Sequence, residues 1–194
     1  MNYTFDQNLK PTTFNPCVYW TDGFTDKELQ YIIDYCDGLE LSQATINDDH
    51  MYSDVRKTKI SWIHPDPKSN KFIDKIHEYS VKMNQEFYNY DVNSFEPLQY
   101  TVYDENGSYF DYHLDMSNTP TYHQRKLTCI LFLSDPSEYE GGQFLIKTGT
   151  KDAVIEQKKG LLIMMPSFIM HKVTPVTSGV RKSLVNWICG PEFK

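Results

Sequence analysis

The sequence predicts a mainly β fold with flanking helices: a double-stranded β-helix, or jelly roll, with N-terminal helices packed on one sheet. Three observations carry this expectation. After Pro97 the chain breaks into short runs rich in β-branched and aromatic residues, separated by Gly, Pro and Asn-Gly signals. No helical periodicity falls between those runs, which argues against an alternating β/α arrangement and for two antiparallel sheets. The residues before Pro97 instead carry two stretches with apolar side chains at helical spacing.

The elements follow in order. Thr25-Asp-Lys-Glu28 is a capping-box pattern, and Leu29, Ile32, Ile33 and Cys36 recur behind it at helical spacing. Gly38 supplies the stop. Residues 42–54 are polar and aperiodic and read as a loop, whereas 55–63 is strand-like. A longer helix is expected over 69–90, with Phe72, Ile76, Tyr79, Met83 and Phe87 on one face. Strands are then expected at 98–103, 109–115, 127–134, 143–147, 153–156, 161–165, 169–174 and 180–189. The turns between them are Asn106-Gly107, Asp135-Pro136, Gly141-Gly142, Gly160, Pro166, Pro175 and Ser178-Gly179. With no repeat or linker in view, residues 1–194 are expected to form one domain, helical and mixed over about 1–96 with the jelly-roll core over about 97–190.

Composition narrows the function classes. Apolar residues make up 40% and aromatics 14% of the chain, which is globular rather than disordered. The 19 Lys and Arg against 26 Asp and Glu give a formal charge of -7 with no basic block. That balance argues against nucleic-acid or anionic-membrane partners. No apolar run is long enough to span a bilayer. MNYTFDQNLK has neither the basic nor the apolar region of a secretion signal, so a cytoplasmic location is expected. Cys17, Cys36, Cys129 and Cys189 show no CxxC spacing and read as reduced thiols.

The chemistry rests on two half-sites, His113-Leu114-Asp115 and a downstream His171 followed by Arg181 and Trp187. In a strand, residues i and i+2 share a face, so His113 and Asp115 can hold one metal. His171, between Ile169-Met170 and Val173, supplies a third ligand from a later strand. Two imidazoles and one carboxylate leave three adjacent positions open, an arrangement suited to non-haem Fe(II) that activates O2. A bare His-x-Asp is weak alone, and a second one occurs at His64-Pro65-Asp66. Its two flanking prolines suit a turn in which Asp66 caps or is solvated. His50, His77 and His123 have no comparable partners and read as surface or loop residues, with His123 near enough to the metal strand for a substrate contact.

Arg181 is a natural bidentate partner for a carboxylate in a partly dry pocket. Lys182 points the opposite way in a strand, and Trp187 shares the parity of Arg181 and faces the same interior.

At these residues the chain resembles the prolyl 4-hydroxylase branch of the Fe(II)/2-oxoglutarate dioxygenases, and within it the PKHD-type hydroxylases. The resemblance is carried by Leu98-Gln-Tyr-Thr-Val-Tyr103, Tyr109-Phe-Asp-Tyr-His-Leu-Asp115, Arg125-Lys-Leu-Thr-Cys-Ile-Leu-Phe-Leu-Ser-Asp-Pro136, Tyr139-Glu-Gly-Gly-Gln-Phe144, and His171 through Arg181 to Trp187. Val55-Arg-Lys-Thr58 resembles, more weakly, an Arg-Thr-Ser stretch on the substrate side of prolyl hydroxylases. The resemblance implies that His113, Asp115 and His171 bind Fe(II). It implies that Arg181 pairs with the distal carboxylate of 2-oxoglutarate, that Tyr103 hydrogen-bonds this co-substrate, and that Thr128 lines the same pocket. It also brings ascorbate into the set of cofactors. Many prolyl hydroxylases have a Tyr where this chain has Phe132, which removes one partner of the distal carboxylate.

The implied reaction is oxidative decarboxylation of 2-oxoglutarate to succinate and CO2, coupled by O2 to hydroxylation of an unactivated C–H bond. An intact Asp115 favours hydroxylation over halogenation, since related halogenases lack that ligand. The resemblance favours a prolyl residue in a peptide or protein as substrate, with Arg56, Tyr109 and Trp187 as candidate contacts. Tyr52 and Tyr112 are further rings able to pack on proline, and 42–54 with Arg56 can form a lid. The alternatives are the same chemistry on a free amino acid or other small molecule, a nucleobase oxidase, which the acidic balance disfavours, and a non-catalytic jelly-roll binding module.

Overall fold

The structure, a computed structural model, describes residues 14–44, 55–116 and 124–193. In chain order the elements are β1 (Val18–Trp20), α1 (Asp26–Asp37), β2 (Ser42–Gln43), β3 (Arg56–Lys57), β4 (Lys59–Ile63), α2 (Asn70–Met83), β5 (Ser94–Phe95), β6 (Leu98–Asp104), β7 (Tyr109–His113), β8 (Gln124–Phe132), β9 (Tyr139–Gly141), β10 (Phe144–Thr148), β11 (Lys151–Val154), β12 (Leu162–Pro166), β13 (His171–Val173) and β14 (Val176–Gly190). They build two antiparallel sheets. The larger runs β1-β12-β8-β14-β6-β4-β2, with β5 and β9 also paired to β14, and the smaller runs β11-β10-β13-β7-β3.

Strand parity sorts the side chains into two cores. On β8, Leu127, Cys129 and Leu131 join Leu29, Ile32, Phe72 and Ile76 from the helices. The alternate Ile130 and Phe132 join Phe144, Ile146 and Val173 from the smaller sheet. The larger sheet is therefore covered on both faces, and β6 and β8 are buried almost throughout rather than on alternate residues. A fully buried aliphatic side chain contributes about 1.5–3 kcal/mol, so each core is a substantial share of the stability.

The capping box at Thr25 is formed: Glu28 N donates to Thr25 Oγ1 and Thr25 N to Glu28 Oε2, and Gly38 is the C-cap. Asp66 accepts from Lys68 N at 2.6 Å, Ser69 N at 2.9 Å and Tyr35 Oη at 2.6 Å, so the His64-Pro-Asp turn caps the approach to α2.

Several boundaries differ from expectation. The stretch 55–63 is two strands that part at Thr58: β3 pairs with β7 in the smaller sheet and β4 with β6 in the larger. The helix expected to 90 closes earlier, through a π-turn at Asn84–Tyr88 and a left-handed Asn89 with φ of 52°. The π-turn shifts the helical phase, so Phe87 is 40% exposed and Tyr88 turns inward to donate to Met164 O. No turn interrupts the chain at Ser178-Gly179: both residues lie within β14, paired with Glu140 and Tyr139 of β9 after a register shift between Val176 and Ser178. Gly179 has φ of 71°, and a Cβ there would lie 2.0 Å from Glu138 O. Strands β1, β2, β5 and β9, two or three residues each, were too short to show a period. Of the expected 42–54 loop, residues 45–54 fall outside the described residues, as do His50, Tyr52 and His123. His77 is not a free surface residue: it lies on α2, half-buried and stacked 3.8 Å from Phe95. Cys36, Cys129 and Cys189 are buried thiols whose pKa values burial pushes up to about 12. No helix among the described residues is long and apolar enough to cross a membrane.

Candidate metal centre

His113 ends β7 and His171 begins β13, and the two are directly opposed across the ladder. Asp115 lies two residues beyond the strand rather than within it. Its backbone N and that of Met116 both donate to Ser167 O, at 3.0 and 3.1 Å, so the turn after β12 replaces the missing ladder. His113 Nε2 lies 3.7 Å from Asp115 Oδ1 and His171 Nε2 lies 3.5 Å from Asp115 Oδ2. One ligand atom from each of the three falls within 4.8 Å of the others. The arrangement could hold a metal ion.

The protonation states fit that role. His113 Nδ1 is 2.7 Å from Asp111 O and His171 Nδ1 is 2.9 Å from Ile169 O. Carbonyl oxygens only accept, so both Nδ1 atoms carry the proton and both Nε2 lone pairs face the centre. Burial, then the neighbouring His171, pushes the His113 pKa down to about 3, which keeps this imidazole neutral. Burial raises the Asp115 carboxyl, but the two imidazoles and a hydrogen bond from Thr128 outweigh it and hold it below the usual range. A neutral imidazole and an ionised carboxylate are what a metal requires. Thr128, fully buried, is not among the residues that line the cavity. Its Oγ1 donates to Asp115 Oδ2 at 2.8 Å and lies 3.0 Å from Ser167 Oγ. Because Thr128 gives its proton to Asp115, Ser167 must be the donor to Thr128. These hydroxyls fix the carboxylate from behind.

Arg181 faces inward from β14, opposite Tyr103 on β6, and is 1% exposed. Its guanidinium carbon sits 5.0 Å over the Tyr103 ring and 5.4 Å over that of Phe132. Nε donates to Gln157 Oε1 at 2.9 Å, and Tyr139 is hydrogen-bonded to the same guanidinium. None of these partners is charged, and Arg181 is in no salt bridge among the described residues. Lys182 points to the helix side, where Nζ meets the Asp37 carboxylate at 2.7 Å. Gly142, with φ of 59°, leaves room for this arrangement: a Cβ there would lie 3.0 Å from Arg181 Cδ and 3.2 Å from the Tyr139 ring.

The triad, Arg181 and Tyr103 line one cavity that opens to solvent. Its dry walls are Ile130, Phe144, Val173 and Val185. Two further inward residues come from the strand irregularities. A register shift on β7 lets both Phe110 and His113 face the cavity, with their rings stacked at 3.4 Å. Arg56 on β3 pairs opposite Phe110 and places its guanidinium carbon 4.5 Å over that ring. Trp187, 5% exposed, lines the same cavity, with the Arg125 guanidinium 3.8 Å from its ring. Arg125 is in turn held by both Glu96 oxygens at 2.6 Å. Of the expected substrate contacts, Arg56 and Trp187 are therefore at the site. Tyr109, beside the inward Phe110, and Tyr112 are not among the lining residues. Exposed His64, on its turn, lies away from the centre. The sequence reading missed Ser167, Gln157, Phe110 and the placement of Tyr139. Tyr139 and Phe110 left a signal, lying within the Tyr139–Phe144 and Tyr109–Asp115 motifs.

Comparison with known proteins agrees with this geometry. Residues 98–189 match the 2OG-Fe(II) oxygenase superfamily. The chain is 35% identical over 97 residues to a PKHD-type hydroxylase of Alteromonas mediterranea, a match covering 47% of this chain and 42% of that protein. The match thus spans less than half of that relative's length. A crystal structure of a Pseudomonas putida prolyl-4-hydroxylase superposes with a TM-score of 0.74 at 19% identity, covering 91% of this chain and 94% of that one. A Trichoplax adhaerens prolyl hydroxylase, solved with a hypoxia inducible factor peptide fragment, gives a TM-score of 0.74 at 18% identity, covering 90% and 83%. The fold is that of these jelly-roll prolyl hydroxylases. Residues 98–189 are thus similar to the 2OG-Fe(II) oxygenase superfamily, a family named for Fe(II) and 2-oxoglutarate, and His113, Asp115 and His171 could hold such a metal.

Proposed function

We propose that the chain, residues 1–194 acting as one domain, is an Fe(II)- and 2-oxoglutarate-dependent hydroxylase of prolyl residues in a peptide or protein. The observation that carries the chemistry is the convergence of His113, Asp115 and His171 in the same cavity as Arg181, a buried guanidinium with no carboxylate partner among the described residues. When bound, the iron with 2-oxoglutarate supplies an oxidant able to attack an unactivated C–H bond. The protein's own part is positional. His113 and His171 would present Nε2 and Asp115 its carboxylate, each held by the carbonyl and hydroxyl partners described above. Arg181, with Tyr139 beside it, would take the distal carboxylate of 2-oxoglutarate, and Tyr103 would close the same side. On this reading Tyr139 supplies the hydroxyl that Phe132 lacks. The walls at Ile130, Phe144, Val173 and Val185 exclude water from the reacting groups.

The prolyl substrate is supported by resemblance to prolyl hydroxylases in sequence motifs and fold. Ascorbate, and a cytoplasmic site of action, belong to the proposal on the same footing. A second reading, a free amino acid or other small molecule as substrate, is favoured by the buried Arg56 in the cavity. The test is succinate release with a proline-containing peptide and with free proline, each dependent on Fe(II) and 2-oxoglutarate. Asp115→Ala is expected to abolish it. Full turnover by Asp115→Ala would rule out Asp115 as a required ligand, and with it the triad on which the reading stands.

A further inference from the structure

Arg56 is 9% exposed and lines the cavity with the metal triad. Its Nε donates to Thr58 Oγ1 at 2.7 Å and its Nη2 to Gln99 Oε1 at 2.9 Å. Both acceptors are neutral, and neither bond uses Nη1. A buried guanidinium held by neutral groups alone is costly unless an anion joins it.

Among the described residues, the charged groups nearby are already committed. Asp115 faces the two histidines, and Arg125, a like charge, is bound by Glu96. In the loaded site, the charges of the metal are offset by Asp115 and one carboxylate of 2-oxoglutarate, and Arg181 by the other. Among the described residues, Arg56 is left as the unbalanced cation. It is also rigid: the Phe110 ring beneath it is itself stacked on His113. A flat fork fixed beside the metal ligands suits bidentate recognition of a planar anion.

We infer that the substrate carries a carboxylate which pairs with Arg56 while its reacting carbon faces the metal. The inference rests on the oxygenase reading above and sharpens its substrate class. The carboxylate has two available sources, the α-carboxylate of a free amino acid or an acidic side chain beside the target residue of a peptide.

The experiment uses the full chain loaded anaerobically with Fe(II) and saturating 2-oxoglutarate, which occupies Arg181. Binding is read by tryptophan fluorescence, because Trp187 lines the cavity. Two matched pairs serve as probes: L-proline against L-prolinamide, and acetyl-Ala-Pro-Glu-amide against acetyl-Ala-Pro-Gln-amide. The acid of one pair should bind at least about tenfold more tightly than its amide, the scale of a charge-assisted hydrogen bond. Which pair shows the preference identifies the source. Arg56→Gln should lower the preference to under about threefold, and Arg56→Lys, which keeps the charge but loses the fork, should fall between. No acid preference in either pair, including no binding at all, overturns the inference while leaving the oxygenase reading intact. A folded Arg56→Gln that keeps the full preference also overturns it. Failure of the wild type to take up Fe(II) and 2-oxoglutarate removes both.

Discussion

Replacing Thr128 with Val isolates what the hydroxyl behind Asp115 contributes. Valine keeps the shape, so the fully buried site is neither emptied nor overfilled, but the 2.8 Å bond to Asp115 Oδ2 disappears and Ser167 Oγ loses its acceptor. A hydrogen bond to a charged acceptor is worth about 1.5–3 kcal/mol. Part of the carboxylate charge is shared with the metal in the loaded site, which places the expected loss near the lower end. The corresponding fall in metal affinity is roughly tenfold, the lower end of the range for loss of a group that orients a metal ligand. The assay is competition for Fe(II) against a chromophoric chelator under anaerobic conditions, with thermal unfolding of the metal-free protein as a fold control. Thr128→Ser retains the donor and should bind metal within a few-fold of wild type. If Thr128→Val, folded, binds Fe(II) as tightly as wild type, then the hydroxyl does not orient Asp115 and the account of this ligand is wrong.

Other consequences follow from the same structure. Tyr139→Phe should raise the 2-oxoglutarate concentration needed for half-maximal charge-transfer absorbance without changing Fe(II) affinity, because it removes a hydroxyl from Arg181 alone. Gly142→Ala should act in the same direction and more strongly, since its Cβ would press on Arg181 and Tyr139 at a φ of 59°. An unchanged co-substrate requirement in both would dissociate Arg181 from 2-oxoglutarate. Acid denaturation provides a test remote from the site. Hydrogen bonds from Lys75 and Thr25 hold the Glu28 pKa down at about 2, below its ordinary value of 4.5. Their stabilisation is therefore present above pH 4.5 and lost as pH falls toward 2, and Glu28→Gln should flatten stability across that window. The effect will be small because the pair is largely solvated. Equal pH slopes for the two proteins would show that the capping box contributes no linkage.

The parts of the fold legible in the sequence were those with enough residues to display a period. The helix behind Thr25 announced itself through a capping box and four apolar positions, and the strands from β6 onward, β9 excepted, through composition and turn signals. Parity along β14 correctly separated Arg181 and Trp187, which face the cavity, from Lys182, which faces Asp37. What could not be read arises where the backbone departs from regularity. The phase change at Asn84–Tyr88 exposed Phe87, and the irregularity on β7 brought Phe110 beside His113. Thr58, where one apparent strand crosses between sheets, depends on which neighbours each half finds. Thr128, expected to line the co-substrate pocket, sits instead behind Asp115, because a hydroxyl behind a carboxylate and one lining a pocket have the same sequence signature. Ser167, from a turn some fifty residues after Asp115, had no local signal.

The most direct test of the central claim is an anaerobic titration of the metal-free protein with Fe(II) and then 2-oxoglutarate, followed by visible absorbance. The account predicts a metal-to-ligand charge-transfer band that requires both additions and is absent from His171→Ala. A folded wild-type protein that binds iron but gives no band with 2-oxoglutarate, or a His171→Ala variant that gives the full band, would contradict it.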